Sequence, residues 1–304
     1  MRCYHSTTFK LPLPPQHRFP MSKYVHLYEE VKALWGEEYV EIAPTVSDDN
    51  LRYAHDSAYL AGVIAGTLPR AELRKIGFPW SPALIERSRR STGATLAGAL
   101  DALNDGRAAN LAGGTHHAGR ARGGGYCVFN DSAVTLKTLE SRGLIKRGLV
   151  IDLDVHQGDG TADILGGDPN HFCFSMHGAR NYPFHKERSD LDVALEDGAG
   201  DEVYLEELSA HLPRVFEQSR PDLVVFLAGA DPYALDQLGR LNLSKAGLAA
   251  RDALVFESCD RYGLPVVISM GGGYAPNVHD IVEIHLNTLR LARGYPPVIH
   301  DDAS

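Results

Sequence analysis

The chain has 304 residues, 44% of them hydrophobic and 23% charged, and 39 acidic against 30 basic side chains give a net charge of -9. That composition is globular and long enough to bury a deep core, while the acidic balance and the lack of clustered Lys and Arg argue against direct nucleic-acid binding. No apolar run approaches the roughly 18 residues of a membrane span, and the start lacks the charged and apolar regions of a secretory signal, so a soluble, cytoplasmic protein is expected.

Cys3, Cys127, Cys173 and Cys259 are widely spaced with no CxxC pair, and are expected as buried, reduced thiols. Along the chain, Arg87, Arg89 and Arg90 beside Glu86 read as a solvated helix face. Residues 110–112 form a weak strand candidate that leads into Gly113-Gly114-Thr115-His116-His117 and a glycine-rich stretch, 119–126. A helix is expected over 132–141, stopped by Gly143, and then a strand over 148–154 (GLVIDLD). A weaker strand (171–175) precedes a helix over 205–218, which Pro221 follows. The run 223–228 (LVVFLA) is a strand, 245–262 a helix between the N-cap candidate Ser244 and Gly263, and 265–269 a last strand.

Unbroken apolar strands alternating with helices suit a parallel sheet covered on both faces, a single α/β domain. Ligand sites in such sheets lie beyond the carboxyl ends of the strands. The reactive residues stand there. Residues two apart on an extended chain point the same way, so Asp152, Asp154 and His156 are expected on one face. Asp231 follows the strand 223–228. Asp154, His156 and Asp231 then make three ligands with a position left for water, the count of a catalytic zinc site. The same donors suit ferrous iron or manganese. His116 and His117 suit proton handling, and Asp152 and Asp159 are free to orient one ring each. Tyr274, after Met270-Gly271-Gly272-Gly273, stands where a hydroxyl can meet a reacting carbonyl.

The segments GGTHHAGRARGGGYCVFND (113–131), IDLDVHQGDG (151–160), LAGADPYALDQLGRL (227–241) and MGGGY (270–274) resemble the histone deacetylase superfamily, in that family's order and spacing. Gln157 and the DQLGRL stretch look closest to its class IV-like, bacterial branch; YAHDSAYL (53–60) resembles the segment before the active-site loops. The resemblance implies an arginase/deacetylase-like fold with a central, mostly parallel eight-stranded sheet, in one domain over 1–304. It implies zinc on Asp154, His156 and Asp231, donors that ferrous iron can share. His116 and His117 would be backed by Asp152 and Asp159, and Tyr274 would stabilise the transition state. Gly125, Tyr126 and Tyr182 would wall an acyl-lysine tunnel. A structural potassium would use Asp152, Asp154, His156, Ser175 and Met176, and Arg18 would stand near an internal exit channel.

The expected activity is therefore zinc-dependent removal of acetyl or longer acyl groups from lysine side chains. A deacetylase of acetylated polyamines shares every catalytic residue. A binuclear manganese, arginase-like enzyme would need further ligands, and a non-catalytic acyl-lysine binding module would be expected to have lost one of these groups; none is missing. Oligomeric state is left open.

Overall fold

The computed structural model describes residues 1–14 and 16–300. Eight strands make one sheet: β1 (Arg2–His5), β2 (Val40–Ile42), β3 (Arg107–Asn110), β4 (Gly148–Asp152), β5 (His171–Gly178), β6 (Leu191–Leu195), β7 (Leu223–Ala228) and β8 (Val266–Met270). Their order is β2-β1-β3-β8-β7-β4-β5-β6 and every pairing is parallel. The sheet is thus wholly rather than mostly parallel.

Side-chain alternation along these strands feeds two separate cores. Leu149, Ile151, Val224, Phe226, Val266 and Ile268 face one, where they meet α1 (Ser22–Trp35), α8 (Asp201–Ser219), α9 (Lys245–Tyr262) and α10 (Val278–Ala292). Val150, Val225 and Val267 face the other, against α3 (Ser57–Ala65), α5 (Pro82–Asp105), α6 (Asp131–Ser141) and α7 (Asp159–Leu165). Strands buried on both faces need no polar residues, which is why β4, β7 and β8 read as unbroken apolar runs.

The caps explain the element boundaries. Ser244 accepts from the Gly247 N–H at the start of α9, and Gly263 ends that helix in the left-handed region at φ 63°. The strand expected over 148–154 closes at Asp152, with the Leu153 N–H still bonded to the Leu227 carbonyl at 3.1 Å. The strand expected at 110–112 lies earlier, at Arg107–Asn110.

The expected solvated arginine face is corrected. Arg87 is buried and donates to the carbonyls of Ser6 and Phe9, while Arg89 pairs with Asp48. Arg87 thereby holds the N-terminal loop to α5, and Arg89 holds the segment around Val46 and Asp48 to the same helix. The four cysteines are free and buried. Among the described residues, no helix is long and apolar enough to cross a membrane.

The strand order positions the site. β3, β8, β7 and β4 are consecutive neighbours at the sheet's centre. The segments that follow them, which start at Leu111, Leu153, Gly229 and Gly271, therefore leave the sheet side by side.

Candidate metal and proton-transfer site

Asp154 and His156 follow β4, and Asp231 follows β7, the strand paired with β4. Their ligand atoms lie within 4.8 Å of one another. His156 Nδ1 is 3.0 Å from Asp154 Oδ1 and 3.1 Å from Asp231 Oδ2. Backbone N–H groups aim both carboxylates: Gly272 donates to Asp154 Oδ2 at 2.6 Å, and Val155 donates to Asp231 Oδ1 at 2.9 Å. A Cβ on Gly272 would come 1.8 Å from Asp231 Oδ2, so only glycine lets the loop after β8 press against this group.

Both carboxylates are at most 1% exposed. Burying two like charges side by side is costly, and the cost falls on Asp231. Against its burial, the nearby imidazoles and hydrogen bonds hold Asp154 well below the usual carboxylate range. Burial and the Asp154 charge push Asp231 up to about 7, against the pull of His156. Burial alone would depress His156, yet its hydrogen bonds with Asp154 and Asp231 raise it to about 10. An acid–imidazole–acid group that draws in a proton this strongly is a fitting place for a divalent cation, which would serve both carboxylates. The oxygen and nitrogen donors suit zinc or ferrous iron.

The two histidines after β3 flank this group. His116 Nδ1 is 2.7 Å from Asp152 Oδ2, and His117 Nδ1 is 2.6 Å from Asp159 Oδ1. Each carboxylate therefore takes one ring N–H and leaves Nε2 facing the site. The rings lie 4.1 Å apart and differ in charge. Burial opposes a proton on His116, but Asp152 and Asp154 raise it to about 9. Burial and the neighbouring His116 hold His117 down at about 4, despite Asp159. Tyr274 closes the opposite side, its ring 6.5 Å from that of His156. Burial, then Asp231 and Asp154, push its hydroxyl well above the usual range, so it stays a donor.

A cavity of about 390 Å³ leads inward to this group between Gly125, Tyr126, Tyr182, Phe184, Leu238 and Tyr274. The Tyr182 ring stands edge-on to His117 at 4.8 Å and lines the cavity together with Tyr126. Tyr126 itself adopts φ 68°, and its N–H bonds the Ile76 carbonyl at 2.7 Å. A positive φ on a bulky residue costs on the order of 1–3 kcal/mol and persists only where neighbours impose it. Gly125 beside it has no room for a Cβ, which would meet His117 Cδ2 at 2.4 Å. At the inner end, Asp154, His156, His116, His117 and Tyr274 share a further space of only about 50 Å³ with Phe19, Lys23, Tyr24 and Cys127.

Arg18 is corrected. It is exposed, with its charge felt at Tyr126, and does not line this inner space. The inner cation is Lys23, on the first turn of α1, 3.4 Å from the carbonyls of Gly271 and Gly273. Nothing in its local sequence marks it. Ser175 is the register partner of Asp152, and Met176 follows on β5. The Ser175 hydroxyl is 3.0 Å from His177 Nδ1.

Three further acids and bases went unread in the sequence. Asp131, fully buried, accepts from Gly114 N–H, Thr115 N–H and the hydroxyls of Thr95, Thr115 and Ser269. It fixes the turn that carries His116 and His117. Asp131→Ala leaves several buried donors unpaired and is expected to cost at least about 3 kcal/mol, measured by urea unfolding; a loss under about 1 kcal/mol contradicts this role. Asp236 accepts from the Tyr274 N–H at 2.6 Å and from the N–H groups of Leu238 and Gly239 at 2.8 Å. It ties the cavity wall to the tyrosine. Arg251, buried, donates to the carbonyls of Gly229 and Leu153, holding together the two turns that bear the carboxylates.

Fold and site together define an α/β protein with a metal-competent acid–histidine–acid centre at the carboxyl edge of its sheet. The histone deacetylase domain matches residues 17–289, and the chain belongs to the histone deacetylase family. An uncharacterized protein of Picosynechococcus sp. is 42% identical over 95% of this chain and 97% of its own. The histone deacetylase-like amidohydrolase of Pseudomonas aeruginosa is 30% identical over 81% of this chain and 69% of its own. Histone deacetylase 2 of Arabidopsis thaliana is 35% identical over 61% of this chain, which spans about half (49%) of that protein. A crystal structure of a histone deacetylase homologue complexed with SAHA shares the fold at TM-score 0.84, covering 97% of this chain and 84% of that one at 24% identity. The homologue from Aquifex aeolicus does so at 0.83 with the same coverage and identity. Family membership supports a deacetylase or amidohydrolase activity.

Proposed function

We infer that the chain is a metal-dependent amide hydrolase that removes acetyl and other short acyl groups from lysine side chains. The observation that carries this is the convergence of Asp154, His156 and Asp231 beside the neutral His117 at the inner end of a walled cavity. Those three residues would hold zinc, or ferrous iron on the same donors. When bound, such an ion polarises the amide carbonyl and lowers the pKa of water.

The residues of the chain supply the rest. His117 is unprotonated at neutral pH and backed by Asp159, so its Nε2 is free to take the proton of the attacking water. As the C–N bond breaks, the same proton passes to the departing amine. His116, leaning on Asp152, keeps its charge and balances the buried carboxylates. The Tyr274 hydroxyl donates to the oxygen that gains charge at the carbonyl. A structural potassium on Asp152, Asp154, His156, Ser175 and Met176 is supported by the pairing of β4 with β5, which sets Ser175 beside Asp152.

The inner space sets the acyl length. About 50 Å³ holds no more than a few water molecules. That admits an acetyl group and excludes a fatty chain. Metal-loaded protein is expected to hydrolyse an acetyl-lysine peptide, to lose activity to a chelator and regain it with zinc, and to leave the myristoyl counterpart nearly untouched. Faster turnover of the myristoyl peptide contradicts the acyl assignment, and no turnover of either contradicts the hydrolase.

Asp236 offers a graded check on Tyr274. Asp236→Ala frees the Tyr274 backbone, and misplacing a reacting group by about 1 Å costs on the order of 100-fold in rate. The expected kcat loss is about 10- to 100-fold with metal content unchanged, and Asp236→Asn, which keeps an acceptor oxygen, should recover part of it. Equal kcat in all three proteins removes Asp236 from this role.

A further inference from the structure

The cavity mouth has a charge that the reaction does not require. Three cationic side chains line it, Lys75, Arg180 and Arg240, and among the described residues no carboxylate does. They come from three separate segments: Lys75 from α4 (Arg70–Ile76), Arg180 from just past β5, and Arg240 from the loop that also carries Asp236. All three are exposed. Two acids pair with the arginines without lining the cavity. Asp197 lies 3.1 Å from Arg240 Nη1 and 3.9 Å from Arg180 Nη1, and Glu196 lies 3.6 Å from Arg180 Nη2. Those pairs steady the two guanidinium groups and offset part of their charge, so three cations against two carboxylates leave the group net positive. Lys75 has no acidic partner among the described residues.

This local sign opposes that of the chain, which carries 39 acidic and 30 basic side chains. A positive mouth on a negative protein concentrates anions there and turns cations away. The mouth is also apolar between its charges, because Phe184 is 82% exposed and Tyr182 38% exposed on its rim. Whatever part of the substrate remains outside the cavity meets those rings and three cations.

We propose that the cationic mouth formed by Lys75, Arg180 and Arg240 selects acyl-lysines flanked by aspartate or glutamate in a peptide segment, and rejects acylated polyamines. The proposal rests on the hydrolase reading above and names its substrate class. An acylated polyamine carries free ammonium groups a few ångströms from its amide, and these would sit among the three cations with no carboxylate in the cavity to receive them. A glutamate one or two positions from the acylated lysine would meet Lys75 or either arginine instead, and an Arg–carboxylate pair forms in a two-pronged geometry. Because the cations are exposed, salt should weaken the preference, with a screening length of roughly 8 Å at physiological ionic strength.

The test compares kcat/KM of metal-loaded protein on three substrates: an acetyl-lysine peptide flanked by glutamates, the same peptide flanked by lysines, and an acetylated polyamine. At low salt, the acidic peptide should be turned over about 10-fold or more faster than the basic one, with the polyamine slowest. The gap should shrink at about 0.5 M salt. In the double variant Lys75→Glu and Arg240→Glu, the ratio of acidic to basic peptide should invert, a comparison made within one protein and so insensitive to how much of it is active. Single charge-neutral variants, Lys75→Gln and Arg240→Gln, should each narrow the ratio. Equal rates on the two peptides at both salts, or a preference for the polyamine, would overturn the proposal and leave the hydrolase standing. Silence on all three substrates would overturn both.

Discussion

Tyr274→Phe is expected to lower kcat on an acetyl-lysine peptide about 100- to 1,000-fold, the usual effect of removing one donor to a developing oxyanion. The change deletes only a hydroxyl. The ring keeps its contacts with Phe19 and Tyr126, at 6.1 Å between centroids in each case. Its backbone N–H remains on Asp236. Thermal stability and metal content should therefore stay at the wild-type level while turnover collapses. That pairing of results separates a catalytic hydroxyl from a packing residue. A loss smaller than about fivefold, with the fold intact, would mean that the carbonyl lies elsewhere or that another donor serves it.

The second large effect is expected at the metal group. Asp231→Asn keeps an oxygen for the Val155 N–H at nearly the same volume, but removes one of the three proposed carboxylate and imidazole ligand groups and its charge. Changing an outer partner of a ligand typically costs roughly 10- to 100-fold in metal affinity, and loss of a ligand itself should exceed that. The variant should fold, bind zinc far more weakly in a competition titration, and show no turnover at a zinc level that saturates the wild type. Asp231 is pushed up to about 7 by burial and by Asp154, so the substitution also relieves repulsion. The apo variant should be no less stable than the apo wild type, so weak binding cannot be assigned to unfolding. Wild-type zinc affinity in this variant would remove Asp231 from the site.

The parts of the site that were legible in the sequence share a cause. Asp152, Asp154, His156 and Asp231 interrupt or follow apolar strands, where charge is out of place unless it has a task, so local pattern exposed them. The same holds for His116, His117 and Tyr274, framed by glycines that give backbone room. Asp131, Asp236, Lys23 and Arg251 were invisible because each does its work across long sequence distances. Asp131 reads as an ordinary first-turn acid of a helix, although its carboxylate reaches Thr95 and Ser269. Lys23 reads as a surface lysine of an amphipathic helix, yet it is 2% exposed.

The fold shows the same division. The central strands carry enough β-branched and apolar residues to be recognised alone. β1, β2 and β6 are three to five residues long, lie toward the sheet's edges, and depend on pairing rather than pattern. α5, the longest helix at 24 residues, was hidden by its burial. It packs against β1, β3 and β8 on one side and α6 on another, so Thr92, Thr95, Gly93 and Gly98 replace the usual apolar stripe. A Cβ on Gly93 would collide with the Pro44 carbonyl, a contact that no local reading of the helix reveals.

The most direct measurement is release of acetate from an acetyl-lysine peptide by protein stripped of metal and then titrated with zinc, with metal content measured on the same samples. The structure predicts no turnover without metal and activity rising in proportion to zinc up to one ion at the Asp154–His156–Asp231 group. Activity that persists in fully stripped protein would contradict the account. So would a stoichiometric zinc complex that hydrolyses neither this peptide nor any other short-chain acyl amide.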